Sequence, residues 1–156
     1  MAQTTAQVTQ SCGQVEISTN VDCSSWYDAS GEVQSVTGMD QTRMSGEAYT
    51  LAGDVALLGG GKREPIELEF AIVYTETDAE VYERVRTLFE LPGYCGFPFC
   101  VRWSPRGGNA GDEQLTTYLG VLTGFSYPPL DASSGGVIMG AFTVKTAYIT
   151  TAIISS

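Results

Sequence analysis

Glu67 and Glu69 stand two residues apart in the run Ile66-Glu67-Leu68-Glu69-Phe70. On an extended chain that spacing puts both carboxylates on one face, with Cβ atoms roughly 7 Å apart. Acid pairs separated by about 5 to 9.5 Å carry out glycoside hydrolysis. Two acids on an exposed strand face also arise simply because that face is solvated, and no third group in the sequence marks them as more. The chain has no histidine, which removes Ser-His-Asp and Cys-His nucleophiles and every histidine metal site. Gly59-Gly60-Gly61-Lys62 looks like part of a phosphate-binding loop, but Ala56 stands at the first required glycine. Arg63 then replaces the Ser or Thr that would hold magnesium, so a flexible turn is the simpler reading. The aspartates show no calcium-loop spacing. Trp26 with Tyr27, and Trp103 beside Arg102, either form a ligand platform or pack at strand ends. No catalytic residue, cofactor site or metal site emerges.

Four cysteines, Cys12, Cys23, Cys95 and Cys100, allow three ways of forming two disulfides. The polar start of the chain, residues 1–11, has neither a basic end nor an apolar centre, so it does not read as a secretory signal. Free thiols are the commoner state in a chain made and folded in a cytoplasm. Neither close spacing is that of a structural zinc knuckle. The pair to watch is Cys95 and Cys100, because Gly96 and Pro98 between them can turn the chain back.

The elements that would position these groups are mostly strands. Ile66, Leu68, Phe70, Ile72 and Tyr74 alternate with Glu67 and Glu69, which is the period of a half-buried strand. Further strands are expected over residues 14–21, 32–37, 47–51, 97–103, 115–127 and 137–150. Gly120 and Gly124 inside the fifth of these suggest bulges or strong twist. One helix is expected over about 77–90. Thr77 and Glu80 form a capping box, Val81, Val85 and Leu88 give the apolar stripe, and Glu80 and Arg86 pair with Arg84 and Glu90 four residues on. Residues 38–64 are punctuated by glycines but carry apolar patches at 48–51 and 55–58, so an extended hairpin is expected rather than coil.

The chain of 156 residues fits a single domain. Its fold class reads as mainly β, a β-sandwich or small barrel with one amphipathic helix and a long extended hairpin. With 18 acidic and 8 basic side chains the net charge is −10, a balance that argues against gripping phosphate or nucleic acid. The longest apolar run, residues 70–74, is too short to cross a bilayer. An apolar tail at residues 149–156 and a long hairpin on a small domain call for a covering partner, often another copy.

The order Gly46-Glu47-Ala48-Tyr49-Thr50-Leu51-Ala52-Gly53-Asp54, Gly61-Lys62-Arg63-Glu64-Pro65, the strand at 67–75, the capped helix and Val101-Arg102-Trp103-Ser104-Pro105-Arg106-Gly107-Gly108 resembles the tail tube (major tail) proteins of long non-contractile bacteriophage tails. The resemblance covers residues 25–144; the cysteines lie outside its pattern. It implies a structural virion protein, not an enzyme, whose β domain closes hexameric rings that stack into a hollow tube conducting viral DNA. It implies a ring-stacking loop over about 38–64 with Tyr49, Leu51, Val55, Leu57 and Leu58, and tying arms at about 1–13 and 148–156. Glu67 and Glu69 become candidates for the lumen wall. The implied partners are further copies of the chain and the tape-measure, tail-tip and terminator proteins, with DNA passing unbound. The place implied is the virion tail, assembled in the host cytoplasm.

Other readings stay open beside it. A contractile tail or injection system uses a similar tube protein, and a monomeric carbohydrate-binding or adhesion module would use Trp26, Tyr27 or Trp103. A small glycosidase would use Glu67 and Glu69.

Overall fold

A computed structural model describes residues 2–20, 22–93 and 98–155. In chain order the strands are β1 (Gln14–Ser18), β2 (Tyr27–Asp28), β3 (Val33–Thr37), β4 (Arg43–Ala48), β5 (Leu57–Arg63) and β6 (Ile66–Val73). After the α-helix α1 (Val81–Phe89) come β7 (Cys100–Ser104), β8 (Glu113–Tyr118), β9 (Val121–Ser126), β10 (Met139–Thr146) and β11 (Tyr148–Ile153). One sheet runs β11-β8-β7-β1-β2, a second runs β3-β6-β10-β9, and β4 with β5 forms a separate ribbon. The two larger sheets bury their inner faces against each other, so the mainly β, sandwich-like fold is the one observed.

The centre of the core follows directly from side-chain period. Ile66, Leu68, Phe70 and Ile72 of β6 are buried while Glu67 and Glu69 face out. Across the register Phe70 pairs with Phe142 of β10, and their rings stack at 4.5 Å. Phe99 meets Phe142 edge-on at 5.6 Å and ties the first sheet to the second.

Two segments expected as single long strands are each broken in two. Residues 115–127 pass from β8 in one sheet to β9 in the other, and 137–150 pass from β10 back to β11. Leu119 takes a left-handed φ of 54° at the first corner. Gly120 follows because a Cβ there would lie 2.6 Å from the Phe99 carbonyl oxygen. The Ala147 N–H and the Thr146 hydroxyl both donate to the Tyr118 carbonyl, joining the two corners. Strands that switch sheets at a bend keep the same alternation on both sides of it, so periodicity alone does not reveal the corner. Gly124 does lie beside an irregularity, a register shift at Thr143/Val144.

The helix is shorter than expected. It starts at Val81 after a turn in which the Glu80 N–H donates to the Thr77 carbonyl, and no side chain caps it. Its apolar stripe is as expected, with Val81, Tyr82 and Val85 buried. Tyr82 packs on Phe125 of β9 and under Gly140 of β10, where a Cβ would come within 3.1 Å of its ring. Arg86 pairs with Glu90 at 2.7 Å and also with Glu83. Arg84 does not pair with Glu80: its Nε donates to the Ala79 carbonyl and its guanidinium lies 4.2 Å over the Tyr27 ring.

The cysteine expectation is corrected as well. Cys100 is bonded to Cys23, with Cα atoms 5.8 Å apart, inside the range of a disulfide. A Cys95–Cys100 bond is therefore not formed, and Cys95 itself lies outside the described residues. The partners are 77 residues apart in sequence. They meet because β1 pairs with β7 so that Ser18 lies opposite Cys100, and the chain after β1 folds back at Cys23, whose φ is 56°. Cys12 is free and exposed.

Most of the segment expected as a C-terminal tying arm, about 148–156, is a strand within this chain. β11 pairs with β8 from Tyr148 to Ile153, and Ile154 exchanges backbone hydrogen bonds with Gly111 and Asp112. Residues 2–13 are exposed and carry only a 3-10 turn at Gln10–Cys12. No helix among the described residues is long and apolar enough to cross a membrane.

Candidate assembly surfaces

The hairpin β4–β5 carries the largest group of exposed apolar side chains among the described residues. Every residue of both strands is exposed. At its tip Leu51 is fully exposed, while Leu58, Val55, Tyr49 and Leu57 are 83%, 79%, 75% and 60% exposed. These are the five residues expected in a stacking loop, and the ribbon brings them together at one end. Burying a Leu or Val side chain contributes about 1.5–3 kcal/mol, so this tip represents a large unused driving force in a lone copy.

The ribbon is aimed by its root, and this the sequence did not reveal. Gln41 donates from Nε2 to the Glu64 carbonyl at 3.1 Å and to the Ala147 carbonyl at 3.0 Å, joining the ribbon to the β10–β11 corner. The Arg63 guanidinium sits 5.1 Å from the centre of the Tyr148 ring, which stacks on Tyr118 at 4.5 Å. Gly38 launches the ribbon with φ 86°, and a Cβ there would overlap the Glu67 carbonyl oxygen at 2.2 Å. A glutamine in a loop gives no sequence signal that its two donors reach carbonyls 23 and 106 residues away. Gln41→Met keeps the side-chain length and removes both donors. It is expected to raise hydrogen exchange at the Glu64 amide about tenfold, the equivalent of one or two hydrogen bonds, while the global melting temperature is unchanged.

Glu67 and Glu69 project from the outer face of the β3-β6-β10-β9 sheet. Glu67 stands opposite Lys145, and Glu69 stands between Thr143 and Thr37. They line an open sheet face, so the concave enclosure that acid–base hydrolysis requires is not formed around them.

The aromatic platform is also dismantled. Trp103 is buried in the core, and the Trp26 ring is covered by the Arg102 guanidinium at 4.2 Å. Arg102 is held by Glu16 at 2.9 Å. A cavity of about 110 Å³ lies among Thr19, Asn20, Trp26, Tyr27 and Arg84, well below the roughly 300–1,000 Å³ of ordinary ligand pockets. Burial first, and then the Glu32 carboxylate that accepts its hydroxyl at 2.7 Å, push the Tyr27 phenol from its ordinary 10.0 up to about 12. Stability from a raised phenol is complete below pH 10 and is lost as pH climbs toward 12. Tyr27→Phe should therefore shrink the drop in urea midpoint between pH 8 and pH 11, leaving the smaller contributions of Tyr74, Tyr82 and Tyr127, which are raised too.

A second apolar surface lies at the other end of the same sheet. The β9–β10 loop, residues 127–138, exposes Leu130 (91%), Val137 (71%), Tyr127 (52%) and Ile138 (41%). The Tyr127 hydroxyl donates to Glu90 at 2.9 Å, and Asp131 accepts the Ser133 N–H and hydroxyl, which holds its carboxyl below the usual range. In the sequence Leu130 follows Pro128-Pro129 and Val137 follows Gly135-Gly136, so both are apolar residues in a turn-rich stretch, and Val137 lies in the loop and not in the strand expected over 137–150.

No protein-family model matches the chain, and no curated protein matches it in sequence. In fold it is similar to a chain in the extended-state sheath–tube complex of an extracellular contractile injection system, with TM-score 0.72, 12% identity, and 96% of this chain and 94% of that one covered. A chain in the tube-terminating cap of the anti-feeding prophage gives TM-score 0.73 at 10% identity, covering 98% of this chain and 95% of that one. A chain in the tail of an empty gene transfer agent particle, refined with C6 symmetry, gives 0.58 at 13% identity, covering 99% and 100%. At such identities the likeness is one of fold: this chain has, end to end, the architecture found in chains of tube, cap and tail assemblies.

Proposed function

We propose that this chain is a structural tube subunit of a tail-like machine, which closes into rings, stacks them, and encloses a channel for DNA. The observation that carries the reading is the pairing of an end-to-end fold match to tube and tail assemblies with an apolar hairpin that a lone copy leaves in water. Six copies per ring fit the C6 symmetry of the gene transfer agent tail. Stacking by Tyr49, Leu51, Val55, Leu57 and Leu58 would bury the tip, and ring closure would cover the edges of β3 and β11.

Six chains of net charge −10 give about −60 per ring. A wall carrying Glu67 and Glu69 has few cations with which to replace the counterions of DNA, so DNA slides without being held. The role is mechanical, in a virion tail assembled in the host cytoplasm, with tape-measure, tail-tip and terminator proteins as neighbours. A helical reconstruction with Glu67 and Glu69 on the outer wall would remove the sliding surface from this reading.

Negative-stain electron microscopy over a concentration series tests the reading. Hollow tubes or stacked rings are expected. A protein monodisperse and monomeric up to its solubility limit overturns it and brings forward the carbohydrate-binding module.

The sequence resemblance favours a long non-contractile tail. The likeness in fold to a chain of the sheath–tube complex of a contractile injection system, TM-score 0.72, supports the contractile reading. Particles purified from the native source decide between them, because a contractile machine carries a second, sheath chain around its tube.

A further inference from the structure

The Cys23–Cys100 bond sits at odds with the compartment in which a tail subunit is made. A cytoplasm keeps cysteines as thiols, and disulfides there are rare outside catalytic and sensing pairs. A tail assembled in a cytoplasm and then released meets reducing and oxidising surroundings in turn.

The fold brings the two cysteines together without help from the bond. Five register pairs between β1 and β7, from Gln14↔Ser104 to Ser18↔Cys100, set Cys100 beside the end of β1. The Phe99 N–H donates to the Gly120 carbonyl at 2.8 Å and its buried ring meets Phe142, so the residue before Cys100 is fixed where the two sheets join. On the other side, the Cys23 N–H donates to the Asn20 carbonyl in the turn after β1. The chain is then drawn back to the sheet by Trp26 under Arg102 and by the Ala29 N–H, which donates to the Val15 carbonyl at 2.8 Å. The two cysteines also differ in access. Cys23 is half-buried in its turn, whereas Cys100 is only 5% exposed. A dissolved oxidant therefore reaches Cys23 first.

We propose that this pair is an oxidative lock: the chain folds and enters the tube as the dithiol, and the bond closes once the particle leaves the reducing compartment. The lock rests on the tube reading, which supplies the change of compartment. With a small-molecule disulfide as oxidant, the Cys23 thiolate attacks one of its sulfurs, forming a mixed disulfide and expelling one thiolate. The Cys100 thiolate then attacks the Cys23 sulfur, forming the protein bond and expelling the second. The two protons given up by the cysteines end on the two released thiols, and the two electrons on the sulfurs of the reagent. The closed loop of residues 23–100 holds β2 to β6 and α1, the whole hairpin included, so a locked subunit unfolds more slowly from the tube.

Cells making the full chain are quenched with acid and iodoacetamide, and the peptides are read by mass spectrometry. Cys23 and Cys100 should both carry the alkyl label. Tubes taken from the same cells in thiol reductant, then given oxidised glutathione, should close the bond with loss of two hydrogens and keep their shape. Their dissolution in urea should slow about tenfold or more. Cys23 and Cys100 already bonded in quenched cells overturn the lock, and so do tubes that form from the bonded chain alone; both leave the tube reading standing. A chain that forms no tubes in either state overturns the tube reading beneath it. The order of attack has its own arm. With Cys12→Ser and Cys95→Ser in place, Cys23 and Cys100 are the remaining thiols. Adding Cys100→Ser should let oxidised glutathione cap Cys23, and adding Cys23→Ser instead should leave Cys100 capped about tenfold more slowly. Equal rates overturn Cys23 as the entry thiol.

Discussion

Replacing Leu51, Val55 and Leu58 together by Asp is expected to abolish tube formation while leaving the subunit folded. All three are more than three-quarters exposed in the isolated chain, so the fold draws almost nothing from them. In a stacked tube each would be buried at about 1.5–3 kcal/mol, and an aspartate in its place would bring an unpaired charge into an apolar contact. Three such changes per copy move the onset of assembly by more than about a thousandfold, out of the accessible range. Circular dichroism melts identical to those of the unaltered chain would establish that the fold is intact. Tubes of normal length from this triple variant would rule the hairpin out as the ring-to-ring connector. Deleting residues 50–59 makes the same test with the tip absent.

The second large effect is on the subunit itself. Cys100→Ser should lower the unfolding free energy by about 2–4 kcal/mol, the usual worth of a bond that closes a long loop in the unfolded chain. The bond spans 77 residues and ties the turn after β1 to the first residue of β7, in the middle of the five-stranded sheet. Its loss frees the segment around Trp26 and Tyr27, on which Arg102 and Arg84 rest. The measurement is the urea midpoint with and without a thiol reductant. A downward shift is expected for the unaltered chain and for Cys12→Ser, and none for the Cys23→Ser, Cys100→Ser double variant. A midpoint in the unaltered chain that ignores the reductant would show that the bond contributes nothing to the fold.

These two predictions differ in how far the sequence anticipates them. The hairpin tip is legible because apolar residues amid glycines on a small acidic domain are a local composition signal. The disulfide is not, because its partners meet only through the pairing of β1 with β7. The favoured spacing of Cys95 and Cys100 was a local argument applied to a non-local bond. The capping box failed for a related reason: Thr77 has the right type and offset, but the chain makes a turn through the Thr77 carbonyl and starts the helix later, at Val81, where the side chains meet the sheets.

Alternation in β6, the apolar stripe of α1 and the acidic balance were all determined by the sequence alone. Each depends on side-chain period or composition, which local chain geometry converts directly into a buried face or a net field. Tertiary structure alone decided the corners at Leu119 and Ala147, the clamp of Gln41 on the Ala147 carbonyl, and the Cys23–Cys100 bond. It alone also set the hairpin and the β9–β10 loop at opposite poles. These are relations between residues far apart in sequence, set by strand register and by which sheet a strand joins, and register is a property of the pair and not of either strand.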